Sequence, residues 1–350
     1  MKSVALFPMT REQCAMVRYS SLMHEYTPSY FFAPKFWCLN GRDINCLDGG
    51  DVVGETLSDY NKDALHDVNV IFIDYDDRLK NLSLYQTVIT DATAIGTRVV
   101  LSHKMQLMLH EIALPATELE VELPDTLYEI NCPILTVLTT GVRTDQFAVE
   151  LALRKFFIDD GYKVAQIGSH SASQFFGFLS TPEFLYNCKD VHQNTLRFNR
   201  YVKELTDAQQ PDVLILGVPE AIMKYNDKVL NNLGILPLTI CSAIKSDLGI
   251  LCMHCGTYNQ QLFDEMLNFC RYHLSSAISV LNISNVSITE DSSNEKIMKY
   301  ADFDSSFVLQ GIKNMDCKSP YLFNVLSQIS ADAAYDHIKA ELTNNARYMK

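Results

Sequence analysis

The chain has 350 residues, 47% of them apolar and 20% charged, with 29 basic against 42 acidic side chains and a net charge of −13. That length exceeds one ordinary hydrophobic core and predicts two domains, and the composition excludes a disordered chain. The acidic balance argues against a nucleic-acid binder, which needs a basic stripe, and no stretch approaches the roughly 20 consecutive apolar residues of a membrane span. The N-terminus, Met-Lys-Ser-Val-Ala-Leu-Phe-Pro, is apolar only briefly and has no small-residue cleavage site, so it reads as a buried strand rather than a signal peptide. Ten cysteines without regular spacing, most of them inside apolar runs, predict reduced thiols and a cytoplasmic protein.

Along the chain, apolar runs predict strands at 4–7, 30–34, 68–73 and 98–101. Helical spacing covers 11–24 and 84–95, the latter closed by Gly96, with a shorter helix at 105–109. A Gly/Asp-rich loop spans 41–51. Strands that are apolar throughout are buried on both faces and belong to parallel sheets, so the alternation predicts a doubly wound α/β unit. The acidic connector Pro-Ala-Thr-Glu-Leu-Glu-Val-Glu-Leu-Pro-Asp, 115–125, sets the domain boundary.

The alternation then resumes. Strands are expected at 134–138, 163–167, 213–216, 238–240, 248–252 and 280–283. Helices are expected at 147–157 (broken by Gly161), 194–208, 228–233 and 259–273. Residues 286–300 read as a polar linker into a last small unit with a peripheral helix near 335–341.

The densest chemistry lies in Pro-Ile-Leu-Thr-Val-Leu-Thr-Thr-Gly-Val-Arg-Thr-Asp-Gln-Phe, 133–147. Strand, polar turn and helix in this order aim backbone N–H groups at an anion. Gly141, Arg143, Thr144, Asp145 and Gln146 are the candidate binding residues, with Arg143 supplying charge and ATP or GTP with magnesium as the candidate ligand. A working nucleotide loop reads G-x-x-x-x-G-K-[ST]. Counted from Gly141, the glycine and lysine positions hold Gln146 and Phe147; one residue earlier they hold Asp145 and Gln146. The alternative is an ordinary turn with Asp145 as the helix N-cap.

Cys252-Met-His-Cys255-Gly256, followed by Cys270-Arg-Tyr-His273, can be written as a Cys3His zinc site. The same cysteines also fit as buried core thiols. Asp48, Asp51, Asp74, Asp76 and Asp77 form an acidic set, of which Tyr75-Asp76-Asp77 ends a strand where ligands of α/β sheets bind; such clusters also occur as solvated turns. Gly217-Val-Pro-Glu220 is another strand-end loop that could face 139–147, while Asp247 and His254 are weaker candidates without an assignable partner. No catalytic residue can be named.

Leu6-Phe-Pro-Met-Thr-Arg11, Val17-Arg18-Tyr19, Ala33-Pro-Lys-Phe-Trp37, Gly41-Arg-Asp43, Asp48-Gly-Gly, Asp159-Asp-Gly161-Tyr-Lys-Val-Ala-Gln166-Ile-Gly168 and Leu216-Gly-Val-Pro219 give the chain a wider likeness. With these residues, over most of 3–285, it resembles the peptide maturation system protein family, accessory proteins encoded beside radical S-adenosylmethionine maturases of ribosomal peptide natural products. The resemblance implies an α/β protein of two domains, an N-terminal Rossmann-like parallel sheet (1–125) and a C-terminal degenerate P-loop-like parallel sheet (126–285), with 286–350 as linker and helical segment. It implies an accessory or scaffold role with a precursor peptide and a maturase as partners. Family members often carry Gly-Lys where this chain has Asp145-Gln146, and Trp-Gly where it has Trp37-Cys38. The alternative function is a nucleotide-dependent ligase or transferase acting on a carboxylate.

Overall fold

A computed structural model describes residues 1–109, 126–187, 190–289, 298–317 and 319–348. The expected boundary at 115–125 lies outside them. The chain divides into two compact units: one holds the described parts of 1–48, 52–121 and 171–177, the other those of 49–51, 122–170 and 178–350.

The N-terminal unit runs β1 (Lys2–Phe7), α1 (Arg11–Arg18), β2 (Tyr26–Ala33), β3 (Ser58–Asp59), β4 (Val70–Ile73), α2 (Leu82–Ile95), β5 (Arg98–Leu101) and α3 (His103–Met108). Its strands form one parallel sheet in the order β3-β2-β1-β4-β5. The chain steps outward from β1 to β3 and then returns to the other side at β4, so the strand order reverses between β1 and β4. Val4–Phe7 and Val70–Ile73 are buried at every position, as continuous apolar runs require. Phe7, Phe32, Ile71, Ile73, Tyr85 and Val88 fill the core. Helix α1 ends at Arg18 and continues only as a 3-10 turn over Ser20–Leu22, short of the expected 24. Ser20 and Ser21 compete for backbone hydrogen bonds and are poor helix formers.

The second unit runs β6 (Ile134–Thr139), α4 (Gln146–Asp159), β7 (Val164–Gly168), β8 (Leu179–Ser180), α5 (Val191–Gln209), β9 (Val213–Ala221), α6 (Ile235–Ala243), β10 (Leu248–Met253), α7 (Gln260–His273), β11 (Ile278–Ile283), β12 (Val286–Ile288), β13 (Tyr300–Asp302), α8 (Ser305–Asn314), β14 (Tyr321–Phe323) and α9 (Gln328–Tyr348). Its sheet is parallel throughout, ordered β14-β11-β10-β6-β9-β7-β8. From β6 the chain builds one half of the sheet through β7 and β9. It then crosses to β10, so the reversal falls between β6 and β10. One face buries Leu138, Leu216, Leu251 and Leu281 against Phe198, Ile240, Phe263 and Cys270 from α5, α6 and α7. Each such large side chain contributes about 1.5–3 kcal/mol of hydrophobic stabilisation. The alternate residues of the strands meet α4 and α9 on the other face. The protein is thus α/β with two parallel sheets.

Several expected elements differ. Residues 238–240 belong to helix α6, not a strand: Leu236, Ile240 and Ala243 share a buried face, and Pro237 is tolerated because it falls in the first turn. The expected helix at 228–233 is an irregular stretch ending in left-handed residues Asn231, Asn232, Leu233 and Gly234. The described part of 286–300 is strand rather than linker, with β12 paired antiparallel to β13. The last helix is not peripheral, since α9 buries Ala331, Ala334, Tyr335 and Ile338, and β14 extends the main sheet through β11.

Candidate functional site

Strand β6 delivers Thr139 to the carboxyl edge of the sheet beside the reversal point, and residues 140–145 connect it to α4. The turn is organised by its own hydroxyls. Thr139 Oγ1 lies 2.6 Å from Thr144 Oγ1 and donates to Gly141 O, while the Gly141 N–H donates back to Thr139 Oγ1 at 3.1 Å. Thr140 N–H donates to Cys252 O at 3.0 Å, tying the turn to β10. Asn282 Nδ2 donates to Thr144 O at 2.9 Å from β11.

Arg143 and Asp145 have φ of 63° and 62°, the left-handed region in which glycine is at ease and other residues are strained. Asp145 occupies the N-cap position of α4 but makes no capping bond, which corrects the expected cap. In the left-handed conformation its carboxylate leaves the helix amides and instead accepts from Asn285 N at 3.4 Å. The N–H groups of Val142, Arg143, Thr144 and Gln146 meet no acceptor among the described residues. They lie at the positive end of the α4 dipole.

Gln146 stands where a nucleotide loop has lysine, and its side chain is committed elsewhere. Nε2 donates to Val137 O at 2.8 Å and to Val218 O at 2.7 Å, bridging β6 and β9. The next residue, Phe147, is buried apolar surface where the loop needs a hydroxyl for magnesium.

Above the turn lies His254, at the end of β10. Its Nε2 is 2.8 Å from Val142 O and carries the proton for that bond. A Cβ at Gly141 would come within 2.9 Å of His254 Cε1, so Gly141 serves this imidazole contact. Tyr300 stacks on His254 with ring centres 5.9 Å apart, and the Arg143 guanidinium lies 5.0 Å from the Tyr300 ring centre. His254 was a weak candidate in the sequence; the structure places it directly on the loop.

One turn into α4, Glu150 is fully buried. Ser169 N–H donates to Oε2 at 3.1 Å and Ser169 Oγ to Oε1 at 2.5 Å. The carboxyl fills the space a side chain would take at Gly217, where a Cβ would lie 2.2 Å from Oε1. Burial raises its pKa to about 7, against the opposing effect of Ser169 and His170. Sequence reasoning passed over Glu150. The available signal was a single carboxylate inside the apolar run 147–153, with Gly217 supplying the missing volume.

The other candidates do not converge on the loop. Cys252 lies on the α4 face of the sheet, where burial first, and then the nearby Asp145 and Glu150, push its thiol pKa up. Cys270 lies in the opposite core beside Cys241. Cys255 packs at the margin of that core, and His273 stacks on Phe269 at 4.8 Å. A sheet therefore separates members of the expected zinc set. No group of three or more His, Cys, Asp or Glu that could hold a metal occurs among the described residues.

The acidic set is likewise engaged. Asp48 pairs with Arg18 through two 2.7 Å bonds, Asp76 with Arg78, and Asp77 with Lys104. Asp74 accepts from Thr10 Oγ1 at 3.4 Å, and Asp51 accepts from Gln328 N at 3.4 Å. Glu220 (φ 64°) turns to Asn232 Nδ2, which reaches both carboxylate oxygens at 3.1 Å. Asp247 accepts from Ile134 N at the amino edge, the far end of the sheet from the loop.

No family model matches the sequence, and no curated protein does. Three of the solved structures that match are the following. A DUF1611 family protein from Anabaena variabilis matches over 91% of this chain and 95% of its own, at 9% identity and a TM-score of 0.49. A pseudomurein peptide ligase type C from Methanothermus fervidus matches over 80% of this chain and 44% of its own, at 12% identity and a TM-score of 0.29. The kinase domain of the Escherichia coli tyrosine kinase ETK matches over 62% of this chain and 91% of its own, at 11% identity and a TM-score of 0.27. The α/β assignment rests on the strand order and register given above.

Proposed function

We propose that the protein is an accessory or scaffold protein in the maturation of a ribosomally synthesised peptide natural product. It binds the precursor peptide, the radical S-adenosylmethionine maturase, or both. The observation that carries the non-hydrolytic part of this reading is Gln146: its amide is spent on two main-chain carbonyls of the sheet, where a phosphate-binding loop would extend a lysine. The sequence resemblance over 3–285 supports the biological class. The described cysteines are all unpaired thiols, the state a reducing cytoplasm maintains, and no helix among the described residues is long and apolar enough to cross a membrane.

The test is co-purification of the tagged protein with the maturase and precursor encoded beside it. Retention of either supports the reading, and recovery of neither overturns it. A second reading, a nucleotide-dependent ligase or transferase acting on a carboxylate, is favoured by the loop N–H groups that meet no acceptor and by Arg143. It requires ATP or GTP to bind at 139–147.

A further inference from the structure

Glu150 is part of no reading above, yet its surroundings are built around it. Ala165, Ile167, Leu214 and Leu216 face the core on the α5–α7 side. The alternate residues Gln166, Gly168 and Gly217 therefore lie on the face that α4 covers. Here Gly217 leaves a hollow that the Glu150 carboxyl fills. Ser169, the first residue after β7, gives the carboxyl both its N–H and its O–H. Nearby on β7, the buried Gln166 amide has no partner for either Nε2 or Oε1 among the described residues.

We propose that Glu150 is a proton-operated latch that fastens the turn leaving β7, Ser169 and His170, onto helix α4. Neutral, the carboxyl avoids the large desolvation penalty of the ionised form and accepts both Ser169 bonds. On ionisation its proton passes to solvent, leaving a carboxylate in a site that burial makes hostile to charge. The titratable groups facing it are His170 on the turn, Cys252 on β10 and Arg154 on α4; β9 offers only Gly217, its Glu220 being turned to Asn232. Arg154 is directed elsewhere, donating to Val164 O and lying over the Phe178 ring. Opening lets the carboxylate reach water, so ionisation favours release of the Ser169–His170 turn from α4.

The released state has an ordinary carboxyl and the latched state a raised one. Between pH 4.5 and about 7 the opening constant therefore rises about tenfold per pH unit, then levels off. Amide hydrogen exchange on the full chain, corrected for the intrinsic effect of pH, reads this directly. Protection of the Ser169 amide, which donates to the carboxyl, should fall about 40-fold between pH 5 and pH 7 in the wild type. In Glu150→Gln it should stay constant over that range. A slope that survives in Glu150→Gln assigns the effect to another group, His170 first, and overturns the proposal. Should that variant not fold, carboxyl carbon NMR of the wild type decides alone: a Glu150 midpoint near 7 supports the latch, and one near 4.5 refutes it. Ser169→Ala removes the hydroxyl bond to Oε1, which favours the ionised form, and keeps the N–H bond to Oε2, so it should move the midpoint up; an unmoved midpoint refutes the hydroxyl contact on which the latch depends.

Discussion

The first strand-to-helix turn of each sheet sits at the same place in its fold, and the two are built in opposite ways. After β1, three residues lead to α1, and Thr10 in extended conformation accepts from Gln13 N while the Gln13 side chain accepts from Thr10 N. This capping box closes the helix end with its own side chains. After β6, six residues lead to α4, with two strained left-handed positions and no cap. A short capped turn leaves nothing for an anion. The wide uncapped turn keeps the frame of a phosphate loop, while Gln146 and His254 take over its lysine position and its approach.

The comparison can be broken most forcefully beneath the wide turn. Gly217→Ala would drive a methyl into the Glu150 carboxyl, and urea denaturation should show a loss of about 3 kcal/mol. Adding Glu150→Ala should restore part of that loss, since the two sites are in contact. An unchanged stability would show that the hollow is not tightly filled. The pH dependence follows from the same carboxyl. Its folded-state pKa is raised above the unfolded value, so the native state holds more protons across pH 4.5 to about 7. Stability should therefore fall as pH rises through that window, by about 3 kcal/mol, and Glu150→Gln should flatten the curve.

Next in size is Gln146→Ala, which strips the donor from two buried carbonyls, Val137 O and Val218 O. A cost of about 2 kcal/mol is expected, and a neutral result would mean the side chain is free to serve a ligand. In the short turn, Thr10→Ala should cost about 1 kcal/mol through the lost cap, whereas Asp145→Asn, which removes no cap, should stay within about 0.5 kcal/mol. Equal losses at the two positions would erase the distinction between the turns. The smallest effect is a gain: Arg143→Gly relieves a left-handed residue and should stabilise by about 0.5 kcal/mol, measured by the same denaturation.

Much of this fold is legible in the sequence because buried parallel strands are continuous apolar runs. Val70–Ile73, Ile134–Thr139 and Leu248–Met253 stand out for that reason, and Gly96 and Gly161 mark helix ends. The same property hides α6: Leu-Pro-Leu-Thr-Ile-Cys is short, apolar and partly β-branched, and periodicity cannot tell such a run from a strand. Strand β14 is too short to read, and only its pairing with β11 reveals it. At the site, Asp145 and Gln146 are visible as departures from a motif. What Gln146 does instead depends on carbonyls 9 and 72 residues away. Glu150, Ser169 and Gly217 come from three separate elements, and no local pattern links them. The zinc spacing failed for a related reason, because linear spacing does not say on which face of a sheet a cysteine lies.

The 139–147 turn has the strand–turn–helix frame of a phosphate loop without its lysine and hydroxyl. The most direct test is the melting temperature of the full chain at increasing ATP or GTP with magnesium. No shift is expected at millimolar nucleotide. A rise of about 5 °C or more, as a ligand held far above its dissociation constant must give, would contradict it and favour the ligase or transferase reading.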